Sequence, residues 1–281
     1  MTDRLRAPFH RRAFLGAIAA PVLLPFARGI ASASSPRAGT CVLTPEQEAG
    51  PFYLPAEHMR GAIAEGKTGV SLAVRLRLLD ATSCMPIEGA AIDIWHCDAL
   101  GAYSGFASDA GPAGLPPGGR PPQGTHGPPP GFPPGPPPGN VSGNEHAGPP
   151  PATPTNALTF LRGTQITDRD GFVHFASIFP GFYPGRVNHI HLKVHAGNAT
   201  REHVDARIVH TGQLFFPESL ASEISKREPY ARHRIERTSL QDDHVFTEQH
   251  GPAAIADVTH ATRSPESFVA ALTLGIDPRR S

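Results

Sequence analysis

Residues 189–195 read HIHLKVH, and this stretch decides the fold class. Successive side chains of a β-strand point to opposite faces. The three histidines and Lys193 therefore share one face, and the three aliphatic residues between them share the other. The aliphatic face predicts a strand packed on a hydrophobic core, with the histidines directed away from it.

The same alternation recurs on either side of this strand. Residues 71–80, SLAVRLRLLD, alternate aliphatic with small or basic side chains, as a half-buried strand does. Further strand candidates are 90–98, 172–178, 205–216 and 267–276, and residues 217–228 predict one short helix. Short strands separated by turns, with little helix, predict an all-β sandwich of mixed and antiparallel strands with long loops.

Composition limits the classes of partner and the number of domains. Of 281 residues, 25 are Lys or Arg and 25 are Asp or Glu, so no basic excess favours nucleic acid or an anionic membrane. Residues 107–156 are mostly Pro and Gly and cannot form a core. We interpret them as an insertion within one domain spanning 34–281. A linker between two domains is the alternative.

The N-terminus has the pattern of an export signal. Arg11 and Arg12 precede an apolar run over 13–26, and small residues follow at 31–33. The run is short and contains prolines, so it predicts a signal with cleavage after Ala33, not a membrane anchor. Adjacent arginines favour the twin-Arg route, and hence a periplasmic or extracellular mature protein with no membrane segment. A basic tail before an ordinary helix is the alternative.

The mature chain contains three cysteines, Cys41, Cys84 and Cys97. An oxidising destination permits one disulfide and one odd thiol, and the sequence leaves the pairing open. The absence of a C-x-x-C pair argues against a thiolate zinc site.

Candidate metal ligands lie on and near the predicted strand at residues 189–195. His189 and His191 project from one face and can bind the same ion, although two solvent-facing histidines would give the same pattern. Tyr183 stands six residues earlier in a Gly/Pro loop, and Tyr103 follows another strand. Phenolates are hard anionic donors, so this set favours Fe(III) over Zn(II).

Five stretches together resemble the intradiol ring-cleavage dioxygenases, the family of catechol and protocatechuate dioxygenases. The specific element is Tyr-Pro-x-Arg-x-x-His-x-His, and the likeness is closest to the exported, single-chain branch. The stretches, spanning about residues 41–217, are EAGPFYLP (48–55), GAAIDIWHCDALGAYSG (89–105), FLRGTQITDRDGFVHF (160–175), PGFYPGRVNHIHLKV (180–194) and TGQLFFP (211–217).

The resemblance implies roles for single residues. Tyr183 would leave the iron when substrate binds and accept a catechol proton. Arg186 would stabilise negative charge on the ring, and Gln213 would lie just outside the ligands. The implied ligands of a non-haem Fe(III) are Tyr103, Tyr183, His189 and His191.

The resemblance also implies the reaction. A catechol and O2 would react to a cis,cis-muconate-type product by cleavage between the hydroxylated carbons. The particular catechol stays open, and an oligomer is possible. Two alternatives remain: a non-catalytic, transthyretin-like binding sandwich, and a zinc or copper enzyme that uses the histidines alone with one further ligand.

Neighbouring residues are assigned more ordinary roles. Tyr53 either lines the pocket mouth or packs, and Trp95 is expected in the core. His96 and His174 are expected to be plain core or surface histidines. Arg162 is expected to hold a loop.

Overall fold

The alternating residues 71–80 form the first strand of a sandwich of two sheets. In the computed structural model, described for residues 41–55, 58–106, 151–196, 207–262 and 264–280, the alternating side chains of Leu72, Val74, Leu76 and Leu78 are at most 1% exposed. The strands are β1 (Ser71–Asp80), β2 (Ala91–Trp95), β3 (Arg162–Ile166), β4 (Phe172–Ile178), β5 (His189–Ala196), β6 (Arg207–Phe215), β7 (Asp257–Ala261) and β8 (Ser264–Ile276).

The strands form two four-stranded sheets. One has the order β4-β1-β8-β7 and the other β3-β2-β5-β6. Among these strands β1 and β8 run parallel, and the other neighbours run antiparallel. The inward side chains of both sheets form one core, which includes Ile190, Leu192 and Val194 of β5. The predicted all-β sandwich and the predicted core face of β5 are therefore confirmed.

The register of the second sheet brings distant residues into one row on its outer face. Trp95 of β2 pairs with Arg162 of β3 and with His191 of β5, and His191 pairs with Gln213 of β6. Cross-strand neighbours lie about 5 Å apart, so this row forms a continuous surface.

The N-terminal segment, residues 41–55, covers this outer face. A disulfide joins Cys41 to Cys84, which resolves the pairing that the sequence left open. The Gln47 backbone N–H donates to the Thr211 carbonyl at 3.0 Å. Because the segment lies over the face, even the outward histidines of β5 are buried.

In the part of the chain that the structure describes, the helices are short. The predicted helix is α1 (Glu218–Ile224), and a second, α2 (His244–Glu248), was not predicted. Asp243 caps α2 by accepting from the backbone N–H groups of its first turn. In the described ranges no helix is long and apolar enough to cross a membrane.

Two strands, β3 and β7, were not predicted from the sequence, and each has a physical reason. In β3 the buried Arg162 and Thr164 obscure any apolar pattern, and β7 is a largely exposed edge strand. The export signal (1–33) and most of the Pro/Gly stretch (107–156) lie outside the described residues. Strands from both sides of that stretch pair with each other.

Candidate metal centre

Two imidazoles of β5 meet at the end of the strand. The Nε2 atoms of His189 and His191 lie 3.0 Å apart, and both side chains are at most 1% exposed. Two ring nitrogens this close require either a shared proton or a cation between them. Burial lowers the pKa of His189 to about 3 and that of His191 well below its usual value. Both rings are therefore neutral and able to bind metal near neutral pH.

The tautomer of His189 is set by a backbone carbonyl two residues earlier in the chain. Its Nδ1 lies 2.5 Å from the carbonyl oxygen of Val187, which can only accept a hydrogen bond. Nδ1 therefore carries the proton and Nε2 keeps its lone pair. A ligating histidine commonly has this arrangement.

Tyr103 reaches the same point from the loop after β2. The Asp98 carboxylate accepts from the backbone N–H groups of Leu100 and Ala102, which shapes the turn. Buried Arg162 then donates to the Ser104 hydroxyl and carbonyl at 2.8 Å each. Tyr103 is 3% exposed, and its hydroxyl has no hydrogen-bond partner among the described residues. Burial raises the pKa of this phenol well above its usual value.

Tyr183 is placed by a tight turn just before β5. The Arg186 backbone N–H donates to the Tyr183 carbonyl at 3.0 Å. Pro184 and Gly185 occupy the central positions, and Gly185 has φ 79°, as a type II turn requires. Burial raises the pKa of Tyr183 to about 12, although the Arg186 cation opposes the shift.

The four predicted ligands converge. The ring centroids of Tyr103 and Tyr183 are 5.8 Å apart, and that of Tyr183 is 5.6 Å from His189. Tyr103 lies 6.3 Å from His191. The structure thus brings together all four side chains that the sequence singled out.

Arg186 adjoins this cluster as a buried cation. Its Nη1 lies 3.4 Å from the Tyr183 hydroxyl, and its Nη2 donates to the Gln213 side-chain oxygen. Its Nε donates to Asp243 at 2.9 Å. Burial alone would raise the pKa of Asp243, but the Arg186 charge and the backbone N–H donors of Val187 and Phe246 act together against it, so the pKa is lowered. Gln213, a predicted site residue, thus contacts Arg186, whereas Asp243 was not predicted.

The N-terminal segment supplies two further contacts that were not predicted from the sequence. Gly50 lies against the His191 ring, and the Phe52 ring stacks on Tyr103 at 4.5 Å. Both residues lie in EAGPFYLP, so the motif itself was the available signal. Tyr53 contacts Trp95 at 4.9 Å and donates to Asp93, so it lies one ring away from the histidines.

Three further residues that were considered in the sequence, His96, His174 and Trp95, mainly contribute to packing and hydrogen bonding in the fold. His96 bridges the Cys97 carbonyl and the Ser177 hydroxyl, and burial lowers its pKa to about 4. His174 is exposed on the other sheet. Trp95 is buried as expected, yet its ring stacks on His191 at 5.0 Å and 6°, so it also supports the site.

The donor set fits a hard trivalent cation. In the described part of the chain no group of three or more His, Cys, Asp or Glu side chains is arranged for a metal. The zinc or copper alternative therefore has no third donor of its usual type there. The cluster instead offers two neutral imidazoles and two phenols, and one of these phenols is buried and has no hydrogen-bond partner within the described ranges.

Fold and site thus define a β-sandwich protein with a mixed histidine and tyrosine centre. No family model matches the chain, and no curated protein matches it. Among solved structures, an intradiol ring-cleavage dioxygenase from Tetranychus urticae is 31% identical, with a TM-score of 0.64. The match covers 86% of this chain and 98% of that one.

A second solved dioxygenase is 32% identical with a TM-score of 0.65, and the match covers 86% of this chain and 97% of that one. At this identity and coverage, the chain belongs to the intradiol ring-cleavage dioxygenase family. Family membership favours an enzyme over a transthyretin-like binding module.

Proposed function

We propose that the protein is a non-haem Fe(III) dioxygenase that cleaves catechol-type rings between the two hydroxylated carbons, using O2, to cis,cis-muconate-type products. The observation that carries the proposal is the meeting of two imidazole Nε2 atoms, 3.0 Å apart, with two phenols beside a buried arginine. Tyr103, Tyr183, His189 and His191 would hold the iron.

When bound, Fe(III) would supply a Lewis acid that chelates the catecholate and makes its ring carbons reactive toward O2. The chain's own groups divide the remaining work. The neutral rings of His189 and His191 are buried and oriented before metal arrives. Tyr103, 3% exposed and held by the Arg162-anchored loop, is suited to remain a ligand throughout.

Tyr183 is suited to proton transfer. It lies half-buried on a turn, and burial raises the pKa of its phenol to about 12. If an incoming catechol displaced this phenolate, the phenolate would be basic enough to accept a catechol proton. Its hydroxyl also lies 3.4 Å from Arg186, so the guanidinium is in reach of the same region.

Arg186 supplies fixed positive charge. It is 5% exposed and held by three side chains, so no reorganisation is needed when negative charge develops on the ring. Such preorganised charge is commonly worth about 10²–10³ in rate. The covering N-terminal segment keeps water away from this region, which strengthens the interaction.

The direct test is a visible spectrum of iron-loaded protein, before and after anaerobic catechol. We expect a broad tyrosinate-to-Fe(III) band that shifts red with catechol. Admission of isotopically labelled O2 should then yield a muconate that carries both labelled atoms. Protein that stays colourless after iron loading contradicts the proposal, and coloured protein that does not cleave catechol contradicts the reaction but not the metal centre.

We further propose export by the twin-Arg route to the periplasm or beyond. The Cys41–Cys84 disulfide supports this destination, because disulfides persist in oxidising compartments. Replacing Arg11 and Arg12 together by Lys should leave the protein in the cytoplasm, as cell fractionation would show. Unchanged export of that variant contradicts the route.

A further inference from the structure

Asp243 lies beyond the stretches that carry the family resemblance, yet its side chain reaches the site. It is completely buried. Its Oδ2 accepts from Arg186 Nε at 2.9 Å and from the Val187 backbone N–H at 2.8 Å. One carboxylate oxygen thus holds both the buried cation and the backbone that follows it.

The other carboxylate oxygen of Asp243, Oδ1, binds a different part of the backbone. Asp243 Oδ1 accepts from the backbone N–H groups of Val245 and Phe246 at 2.9 and 3.1 Å, which caps α2. The cap fixes the carboxylate in position. The cap and the contact with Arg186 can therefore be separated by substitution.

The contacts of Arg186 leave one edge of the guanidinium toward the site. Nε is bound by Asp243 and Nη2 by Gln213, whose own amide donates to the Glu48 carbonyl at 2.9 Å. A guanidinium is planar, so two anchors define its orientation. Nη1 then faces Tyr183.

The same carboxylate also acts on a proposed iron ligand. Val187 donates its N–H to Asp243, and its carbonyl accepts the Nδ1 proton of His189. Asp243 therefore restrains the residue that sets the tautomer and ring orientation of His189. Groups that orient a ligating histidine in this way typically matter about 10- to 100-fold.

We propose that Asp243 is a positioning residue: through Arg186 it aims the guanidinium at the bound catechol ring, and through Val187 it restrains His189. The inference rests on the proposed function for the roles of Arg186 and His189. The competing explanation is that Asp243 serves the fold alone, as the cap of α2.

The first experiment compares Asp243→Asn with Asp242→Asn in the iron-loaded enzyme. Asn keeps an oxygen for the cap but places an amide where two N–H donors need an acceptor. We expect kcat to fall about 10- to 100-fold with a much smaller change in KM. Asp242 is exposed and bonds Ser239, so its variant should match the wild type. Unchanged kcat in Asp243→Asn overturns the proposal.

A double-mutant cycle separates positioning from capping. If Asp243 acts on the ring chemistry through Arg186, adding Asp243→Asn to Arg186→Gln should cost little further kcat. Fully additive losses would contradict the route through Arg186 and leave only the restraint of His189 through Val187. Asp243→Ser serves as a second variant, because Ser caps a helix well but cannot reach Arg186. The buried Arg186 cation loses its counter-charge in this variant, so the unfolding midpoint should fall. The folded variant should also lose kcat, and wild-type kcat in it would overturn the proposal.

A metal-free readout keeps the inference distinct from the proposed function. In wild-type apoprotein, NMR should show a slowly exchanging Arg186 Nε–H that is missing in Arg186→Lys and shifts in Asp243→Asn. It should be unchanged in Asp242→Asn. Rapid exchange in the wild type overturns the positioning role. A protected signal in a protein that cleaves no catechol would instead contradict only the reaction.

Discussion

Gly50 lies so close to His191 that a Cβ atom at this position would stand 3.2 Å from the Cε1 atom of the imidazole and 3.6 Å from its Nε2. Its φ of 65° is also one that other residues rarely adopt. A larger residue here would strain the backbone and require the His191 ring to shift by a few tenths of an ångström. The close approach ties a loop to the geometry of the metal centre.

Gly50→Ala should accordingly weaken iron binding. The added methyl group requires the His191 ring to shift from its position, so we expect an affinity loss of about 10-fold or more. Iron titration by visible absorbance is the measurement. Gly66→Ala is the matched control, because Gly66 has φ 76° but nothing within 4 Å of an added Cβ. Equal iron affinity in both variants would show that contact with His191 is unimportant.

Tyr103→Phe should remove or strongly weaken the visible band of the iron-loaded protein. The substitution deletes a buried hydroxyl that has no partner among the described residues, so the fold should lose little stability. Tyr230→Phe gives the opposite pattern. The Tyr230 hydroxyl donates to the Phe179 carbonyl at 2.7 Å, so its loss should cost about 1–3 kcal/mol in the free energy of unfolding and leave the colour intact. Full colour in Tyr103→Phe would contradict its role as a ligand.

The free energy of unfolding should fall as the pH drops below about 6.5, partly through His210. Burial lowers the pKa of this histidine to about 4. Between these pH values the unfolded chain binds a proton that the native state does not, so acid favours unfolding. His210→Gln should flatten the pH dependence over that window in urea titrations. The exposed His174→Gln should not, and equal slopes for the two variants would contradict the assignment to burial.

Reduction of the Cys41–Cys84 disulfide should lower the free energy of unfolding by about 2–4 kcal/mol. The cross-link joins the start of the N-terminal segment to the turn after β1, so it restricts the unfolded chain. Guanidinium unfolding with and without reductant measures the loss. A Cys41→Ser, Cys84→Ser double variant should be insensitive to reductant, whereas Cys97→Ala should respond like the wild type. Alkylation of the unfolded, unreduced protein should modify only Cys97.

Prediction from sequence succeeded where the signal is local. The alternation in β1 and β5 and the turn before β4 each depend on a few adjacent residues, and the structure has them where expected. It failed for β3, because the buried Arg162 and Thr164 are satisfied by Ser104 and Asp93, far away in the chain. No local pattern reports such partners.

Local sequence patterns suffice to predict the strand that carries both histidines, the turn that places Tyr183 near Arg186, and the class of sandwich, because side-chain alternation and turn chemistry act over a few residues. The meeting of Tyr103 with that strand, and the residues that complete the site, become visible in the folded chain alone. Gly50 and Phe52 lie more than a hundred residues before β5, and Asp243 is the N-cap of a short helix that was not predicted. Their positions follow from packing against the outer face of the second sheet, which is a long-range property of the folded chain.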